Sequence, residues 1–169
     1  AQPINSISSE NVRTYFKENV AKLNVITGFI SSNKNGETTT LGRNGSNYTA
    51  ALLANYLDAE ELQNYTHVSG IYTANPDLVA DAKKIEELSF SEANELANFG
   101  ATILHAKSII PLLEKNINLR ILNTFNKEDK GTLITSESTT KGIKSISTIN
   151  NVALLNFEGR GLLGKVGVD

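Results

Sequence analysis

What most narrows the fold of this chain is a repeated switch between two hydrophobic periods along its 169 residues. Val12, Tyr15, Phe16, Val20 and Leu23 recur at three- and four-residue spacing behind Ser8 and Ser9, which predicts an amphipathic helix with a capped start. "NVITGFIS" (Asn24 to Ser31) then puts β-branched and apolar residues on consecutive positions, the pattern of a strand covered on both faces. After a turn at "NKNGE", helical spacing returns in Ala50, Ala51, Leu53, Ala54 and Leu57, so a helix is expected to begin near Gly45 or Ser46. "ELQNYTHV" predicts a short strand, and "SGIYTANPDL" a turn-rich stretch broken at Asn75-Pro76. A second helix is expected from Ser89, with Phe90, Ala93, Leu96 and Ala97 inward. A third is expected over Lys107 to Asn116, where Pro111 must fall in the first turn or bend the helix. "INLRILNTF" and "GTLIT" close as strands. Strands alternating with helices predict an α/β layered domain.

Beyond Ile134 the composition changes. "TSESTTKG" is polar and rich in Ser and Thr, a linker composition, and "VALLNFEG" (Val152 to Gly159) reads as one more strand. A strand and the glycine-bearing "RGLLGKVGVD" cannot bury a core alone. Residues 1–135 are therefore expected to form one domain, and residues 136–169 a linker with the opening of a second module. The sequence starts at Ala1 and contains no Met, so it is expected to be part of something longer.

Charge and composition exclude several partner classes. The 16 Lys and Arg against 18 Asp and Glu leave a formal charge of -2, so neither nucleic acid nor an anionic membrane is expected as a partner. Without cysteine there are no disulfides or thiolate metal sites, and no metal site is expected. No apolar run reaches membrane-spanning length and no signal-like segment is present, which fits a cytoplasmic protein. Any anionic ligand must be caught locally.

One stretch is suited to that. "TTTLGRNGSNYTAALLANYL" (Thr38 to Leu57) runs from a polar glycine turn into a helix start, where free amides and the positive end of the helix dipole gather. Arg43 supplies a fork that grips a carboxylate with two parallel bonds, and Thr40 and Ser46 add hydroxyls. "LGRNGS" has neither the Gly-Lys-Ser/Thr ending of a Walker loop nor a G-x-G-x-x-G pattern. Taken alone, the segment reads either as a carboxylate or phosphate site or as a plain helix start capped by Ser46. His105 has no carboxylate at ligand spacing, and a single imidazole at His67 makes no metal site. Lys107 reads as a solvated helix-terminal lysine and "NKEDKG" as a solvated turn.

The stretches "VITGFI", "ETTTLGRNGSNYTAALLA", "SGIYTANP", "FGATILHAKSI" and "NTFNKEDKGTLI" resemble, in order and spacing, the second half of the aspartokinase catalytic domain, a member of the amino acid kinase fold. The resemblance runs from about Val25 to Ile134. "ISTINNVALLNFEGRGLLGKVG" resembles the first strand and effector loop of an ACT regulatory module, in wording nearest to fused aspartokinase/homoserine dehydrogenase enzymes. The resemblance implies a largely parallel open sheet between helices, followed by the first strand of an ACT-like α+β module. It also implies phosphorylation of the side-chain carboxylate of L-aspartate by ATP with Mg2+, the opening step toward lysine, threonine and methionine. NADP would belong only to a dehydrogenase domain absent from this sequence. Carried over by position, Phe29, Thr40, Arg43 and Ser46 line the aspartate pocket, with Asn47 beside them. Thr66, His67, Tyr72, Asn75, Asp77 and Thr102 fall on the nucleotide side. Gly159, Gly161 and Gly164 fall in the loop that binds an amino acid effector, threonine or lysine, and chains would pair through the ACT module.

The departures from the family pattern lie mainly around the nucleotide. Asn47, His67 and Asn75 each stand where the family usually has Asp, Asp77 where it has Arg, and Thr102 where it has Lys. Losing two cations beside a triphosphate weakens the neutralisation that phosphoryl transfer needs, and an added Asp repels it. Three expectations follow: a working aspartokinase with altered nucleotide contacts, a degenerate kinase-like platform beside a fused dehydrogenase, or another amino acid kinase such as one acting on glutamate. The arginine in "LGRNGS" and the ACT-like tail argue against the last. The family's phosphate-binding lysine and glycine motif would lie upstream of Ala1, so these residues alone are expected not to turn over ATP.

Overall fold

A computed structural model describes residues 2–98, 105–138, 142–148 and 153. Helix α1 (Asn5–Glu18) precedes a hairpin of β1 (Ile30–Ser32) and β2 (Thr38–Thr40). Helix α2 (Gly45–Tyr56), β3 (Glu61–Thr66), β4 (Glu87–Ser89), α3 (Phe90–Asn98), α4 (Ala106–Leu113), β5 (Asn118–Asn123) and β6 (Thr132–Thr135) follow. The sheet order is β3-β5-β6-β4, with β3/β5 and β4/β6 parallel and β5/β6 antiparallel. The fold is thus the layered α/β arrangement with a largely parallel open sheet that alternation and resemblance implied.

Strand pleating assigns the two faces of the sheet. Leu119 and Ile121 of β5 alternate onto one face and join Leu88 and Ile134 in a core completed by Ala51 and Ala54 of α2, Phe90 and Ala93 of α3, and Ile109 and Leu112 of α4. On the other face Arg120 grips Glu61 across the parallel pair at 3.0 Å, holding that carboxyl below its ordinary range through the guanidinium hydrogen bond, against the opposing effect of burial. Leu96 and Ala97 pack against the core as their spacing required. Helix α3 opens with a capping box in which the Ser89 amide donates to Glu92 at 2.8 Å and the Glu92 amide to the Ser89 hydroxyl at 3.2 Å.

Four expectations are corrected. Helix α1 starts at Asn5 and stops at Glu18, where the Asn19 amide and side chain both bond the Tyr15 carbonyl; Val20 and Leu23 lie beyond it, almost fully exposed. "NVITGFIS" is not a doubly covered strand. Val25 is 93% exposed, because Phe29 adopts a φ of 74° that turns the chain out of an extended run, and only Ile30 to Ser32 pair, with β2. The inward face of α2 carries Leu52, Asn55 and Tyr56 as well as Ala51 and Ala54, whereas Leu53 and Leu57 are half-buried; the helix is covered from more than one side. Pro111 falls in the second turn of α4, so the Lys107 carbonyl has no amide four residues on. The strand at Val152 and the glycine loop after it lie outside the described residues.

Candidate active site

The two helices beside β3 set the position of the site. Their C-terminal ends are tied together, since the Asn55 amide group donates to the Pro111 carbonyl at 2.7 Å and Lys115 donates to the Asn55 carbonyl at 2.6 Å. Helices α2 and α4 therefore run side by side in one direction, and their N-terminal turns open at the same end. Between them is a small cavity of about 40 Å³, lined by Asn47 and Ala50 of α2, Ser108 and Ile109 of α4, His105, and Gln63 and Asn64 in the middle of β3. Crevices at the carboxyl ends of parallel strands, flanked by helix N-termini, are where open α/β sheets bind anionic ligands.

The head of α2 is seated by close backbone contact. A Cβ on Gly28 would lie 3.0 Å from the Ser46 Cα, and one on Gly45 would lie 2.8 Å from the Phe29 ring, so the 28–29 segment rests directly on the first turn. The Phe29 amide donates to the Thr49 hydroxyl at 3.1 Å, that hydroxyl donates to the Gly45 carbonyl at 2.9 Å, and the Leu41 amide donates to the Phe29 carbonyl at 3.0 Å. Asn44 is the N-cap in a left-handed conformation, φ 59°, with no side-chain cap bond. This corrects the reading of Ser46 as the cap: Ser46 lies inside the helix. The Gly45 amide is used by the Gly42 carbonyl and the Tyr48 amide by Asn44, while the amides of Ser46 and Asn47 have no partner among the described residues. Arg43 is exposed and bonds no described residue; Thr40 and Ser46 are exposed, and Phe29 is 41% exposed. Phe29, Thr40, Arg43 and Ser46 thus gather on an open surface around the helix head, and Asn47 reaches the cavity beneath.

The second predicted set follows β3. The Thr124 amide closes on the Thr66 carbonyl at 2.9 Å, and the Thr66 hydroxyl lies 3.4 Å from Nδ1 of His67, which is exposed. Beyond Gly70 two short arms, 71–73 and 83–85, run antiparallel with Tyr72 bridged to Lys84. The Thr132 hydroxyl, fully buried, accepts from the Ile71 amide at 2.8 Å and donates to the Ile85 carbonyl at 2.6 Å. Tyr72 is half-buried. At the tip the Asn75 side-chain oxygen accepts from the Asp77 amide at 3.0 Å, so that residue closes the turn, and Asp77 is exposed. No hydrogen bond between described residues joins this set to the first. Thr102, Gly159, Gly161 and Gly164 lie outside the described residues.

Three features were missed or misread in the sequence. His105 caps α4, its Nδ1 accepting from the Lys107 amide at 3.3 Å, which requires an unprotonated Nδ1. Ser108, which lines the cavity, has a buried hydroxyl with no partner among the described residues. In "NKEDKG", Asp129 is not solvated: it binds Lys84 and accepts from the Gly131 amide at 2.8 Å, and its carboxyl is held below the ordinary range, chiefly by the Lys84 hydrogen bond and then by that amide. A capping His two residues before a Lys amide was the one legible signal.

A largely parallel sheet flanked by two helices whose heads open at the same end defines a layered α/β domain. Within that class the chain belongs to the amino acid kinase family, whose model matches residues 1–123. It is 40% identical over 163 residues to a bifunctional aspartokinase/homoserine dehydrogenase of Haemophilus influenzae, covering 94% of this chain and 20% of that protein. It is 41% identical over 134 residues to an aspartokinase of Rickettsia felis, covering 79% of this chain and 33% of that protein. Among solved structures, E. coli aspartokinase III in complex with aspartate and ADP superposes with a TM-score of 0.76 at 40% identity, over 82% of this chain and 31% of that one. The chain therefore spans between a fifth and a third of the length of these relatives. It is an aspartokinase-like amino acid kinase domain.

Proposed function

We propose that the protein carrying this chain is an aspartate kinase, transferring the γ-phosphoryl group of ATP to the side-chain carboxylate of L-aspartate. A carboxylate oxygen attacks phosphorus, the bond to the bridging oxygen of ADP breaks, and 4-phospho-L-aspartate forms. No proton has to be removed from a carboxylate nucleophile, so the chemistry calls for positioning and charge neutralisation rather than a general base. Arg43 and the amides of Ser46 and Asn47 are assigned to the acidic amino acid, with Phe29 and Thr40 as walls. Tyr72, Thr66 and His67 are assigned to the adenosine side, with Asn75, Asp77 and Thr102 nearby. Magnesium would enter with ATP, held on its phosphate oxygens.

The rest of the reading scales with it. Residues 1–135 are the C-terminal part of the catalytic domain, and 136–169 lead into an ACT module that binds threonine or lysine through Gly159, Gly161 and Gly164 and pairs chains. A homoserine dehydrogenase unit using NADP, a cytoplasmic setting, and inactivity of the 169-residue chain by itself belong to the same proposal. The observation that carries it is the pair of open amides at the α2 head beside an uncommitted Arg43, in a chain that superposes on an aspartokinase holding aspartate and ADP.

Calorimetry on the complete protein tests it. Arg43→Gln is expected to weaken aspartate binding at least tenfold, the worth of a charge-assisted bond, with Mg-ATP affinity unchanged. Unchanged aspartate affinity would remove the assignment. The Asn75 oxygen committed to the Asp77 amide, and the exposed Asp77 carboxylate, favour a second reading, in which aspartate binds but ATP is not turned over. Heat from aspartate with none from Mg-ATP would select it.

A further inference from the structure

Residues 142–148 have a linker's composition but not a linker's freedom. The Ile146 amide donates to the Thr73 carbonyl at 2.9 Å, and the Ser145 hydroxyl donates to the Tyr72 carbonyl at 2.8 Å. Lys144, only 13% exposed, lies 3.7 Å from Glu92 and donates to the Ser138 hydroxyl at 2.9 Å. Glu92 is the residue that caps α3, so the segment is anchored at a helix head and at the Tyr72 arm together. Thr73 is consequently held from both sides: its amide bonds the Lys83 carbonyl at 2.8 Å, its hydroxyl accepts from the Lys83 amide at 3.0 Å, and its carbonyl takes Ile146. The segment thus meets the Tyr72 arm at two successive carbonyls, those of Tyr72 and Thr73.

What fastens it is almost wholly polar. Ile143 is 94% and Ile146 67% exposed, so neither isoleucine anchors the segment by apolar burial. The contacts seen among the described residues are mainly hydrogen bonds and an ion pair, and contacts of that kind open at far lower cost than a packed apolar core.

We propose that residues 144–146 are a releasable positioning strap that sets the backbone at Tyr72 and Thr73. The functional consequence rests on reading the Tyr72 arm as the nucleotide side; the strap itself does not. Amide hydrogen exchange of the 169-residue chain separates the two. Ile146→Pro deletes the donor to Thr73, and exchange at Thr73, Lys83 and Ile85 is expected to quicken about tenfold, the worth of one such bond, with the β5 amides of Leu119 and Ile121 unchanged. Ser145→Ala, which spares the backbone, is expected to quicken the same arm amides by a smaller factor. Arm exchange indifferent to both variants overturns the strap. In the complete protein, Ser145→Ala is expected to weaken Mg-ATP severalfold and leave aspartate affinity alone. If arm exchange quickens while ATP binds neither form, the strap stands and the nucleotide assignment falls.

Discussion

The two halves proposed for the site are held by opposite means. At the head of α2 the backbone is seated by close contacts at Gly28 and Gly45, and the amides of Ser46 and Asn47 and the Arg43 side chain have no partner among the described residues. In the 71–85 arm the polar groups are largely committed to structure: Thr132 bridges Ile71 to Ile85, Thr73 bonds Lys83 twice, and Asn75 closes its own turn. On the proposed reading the first would act as a preorganised receptor, with donors ready before a ligand arrives. The second is a scaffold, whose recognition has to come from the face of Tyr72 and whose position depends on what ties it down.

The sharpest way to break that contrast is to remove the tie. Thr132→Val keeps shape and strand preference but deletes the hydroxyl, leaving the Ile71 amide and the Ile85 carbonyl without their partner. At about 1–3 kcal/mol for each of the two buried groups so stranded, we expect a loss of about 2–6 kcal/mol in urea unfolding. The exchange of the arm should quicken well beyond the rest of the sheet. A change under about 0.5 kcal/mol would mean that the arm is held by something else.

The receptor half should yield to bulk rather than to lost hydrogen bonds. In Gly45→Ala the new methyl meets the Phe29 ring at 2.8 Å and the Leu41 Cβ at 3.1 Å. Crowding of that kind costs about 1–3 kcal/mol, and the better helix propensity of Ala returns up to about 1, so a net loss of about 1 kcal/mol is expected. Phe29→Ala should relieve it. The double-mutant cycle is expected to show a coupling of about 1 kcal/mol, and additive effects would show that the 28–29 segment does not rest on the helix head.

These contrasts bear on what the sequence could reveal. The alternation of periods placed α2, β3, α3, β5 and β6 correctly, because each buries a face whose spacing is visible locally. Strands β2 and β4 are three residues each, too short to show a period; β2 is fixed by its hairpin partner Ile30 to Ser32, and β4 by Leu133 to Thr135, more than forty positions on. The run from Asn24 read as a buried strand because periodicity reports hydrophobicity, not the positive φ at Phe29. In the site, Arg43 and the helix head were legible as donors without a local task. The commitments of Thr132, Asp129 and Ser145 were not, since each acts on residues more than forty positions away.

Acid should distinguish the halves most finely. The Asp129 carboxylate holds the arm through Lys84 and accepts the Gly131 amide, and those bonds keep its folded value below the ordinary 3.8. A carboxyl depressed by folding contributes its stability above its ordinary value and loses it as pH falls through the lowered one. Wild-type stability is therefore expected to fall more steeply than that of Asp129→Asn from about pH 4 downward, where protons take the place of Lys84. With both side chains partly exposed, the difference near neutrality should stay under about 1 kcal/mol. Arg43→Gln, altering a residue that bonds nothing among the described residues, should track the wild-type curve throughout. If Asp129→Asn keeps the full wild-type acid slope, the carboxylate does not hold the arm, and the two halves are anchored more alike than their hydrogen bonds indicate.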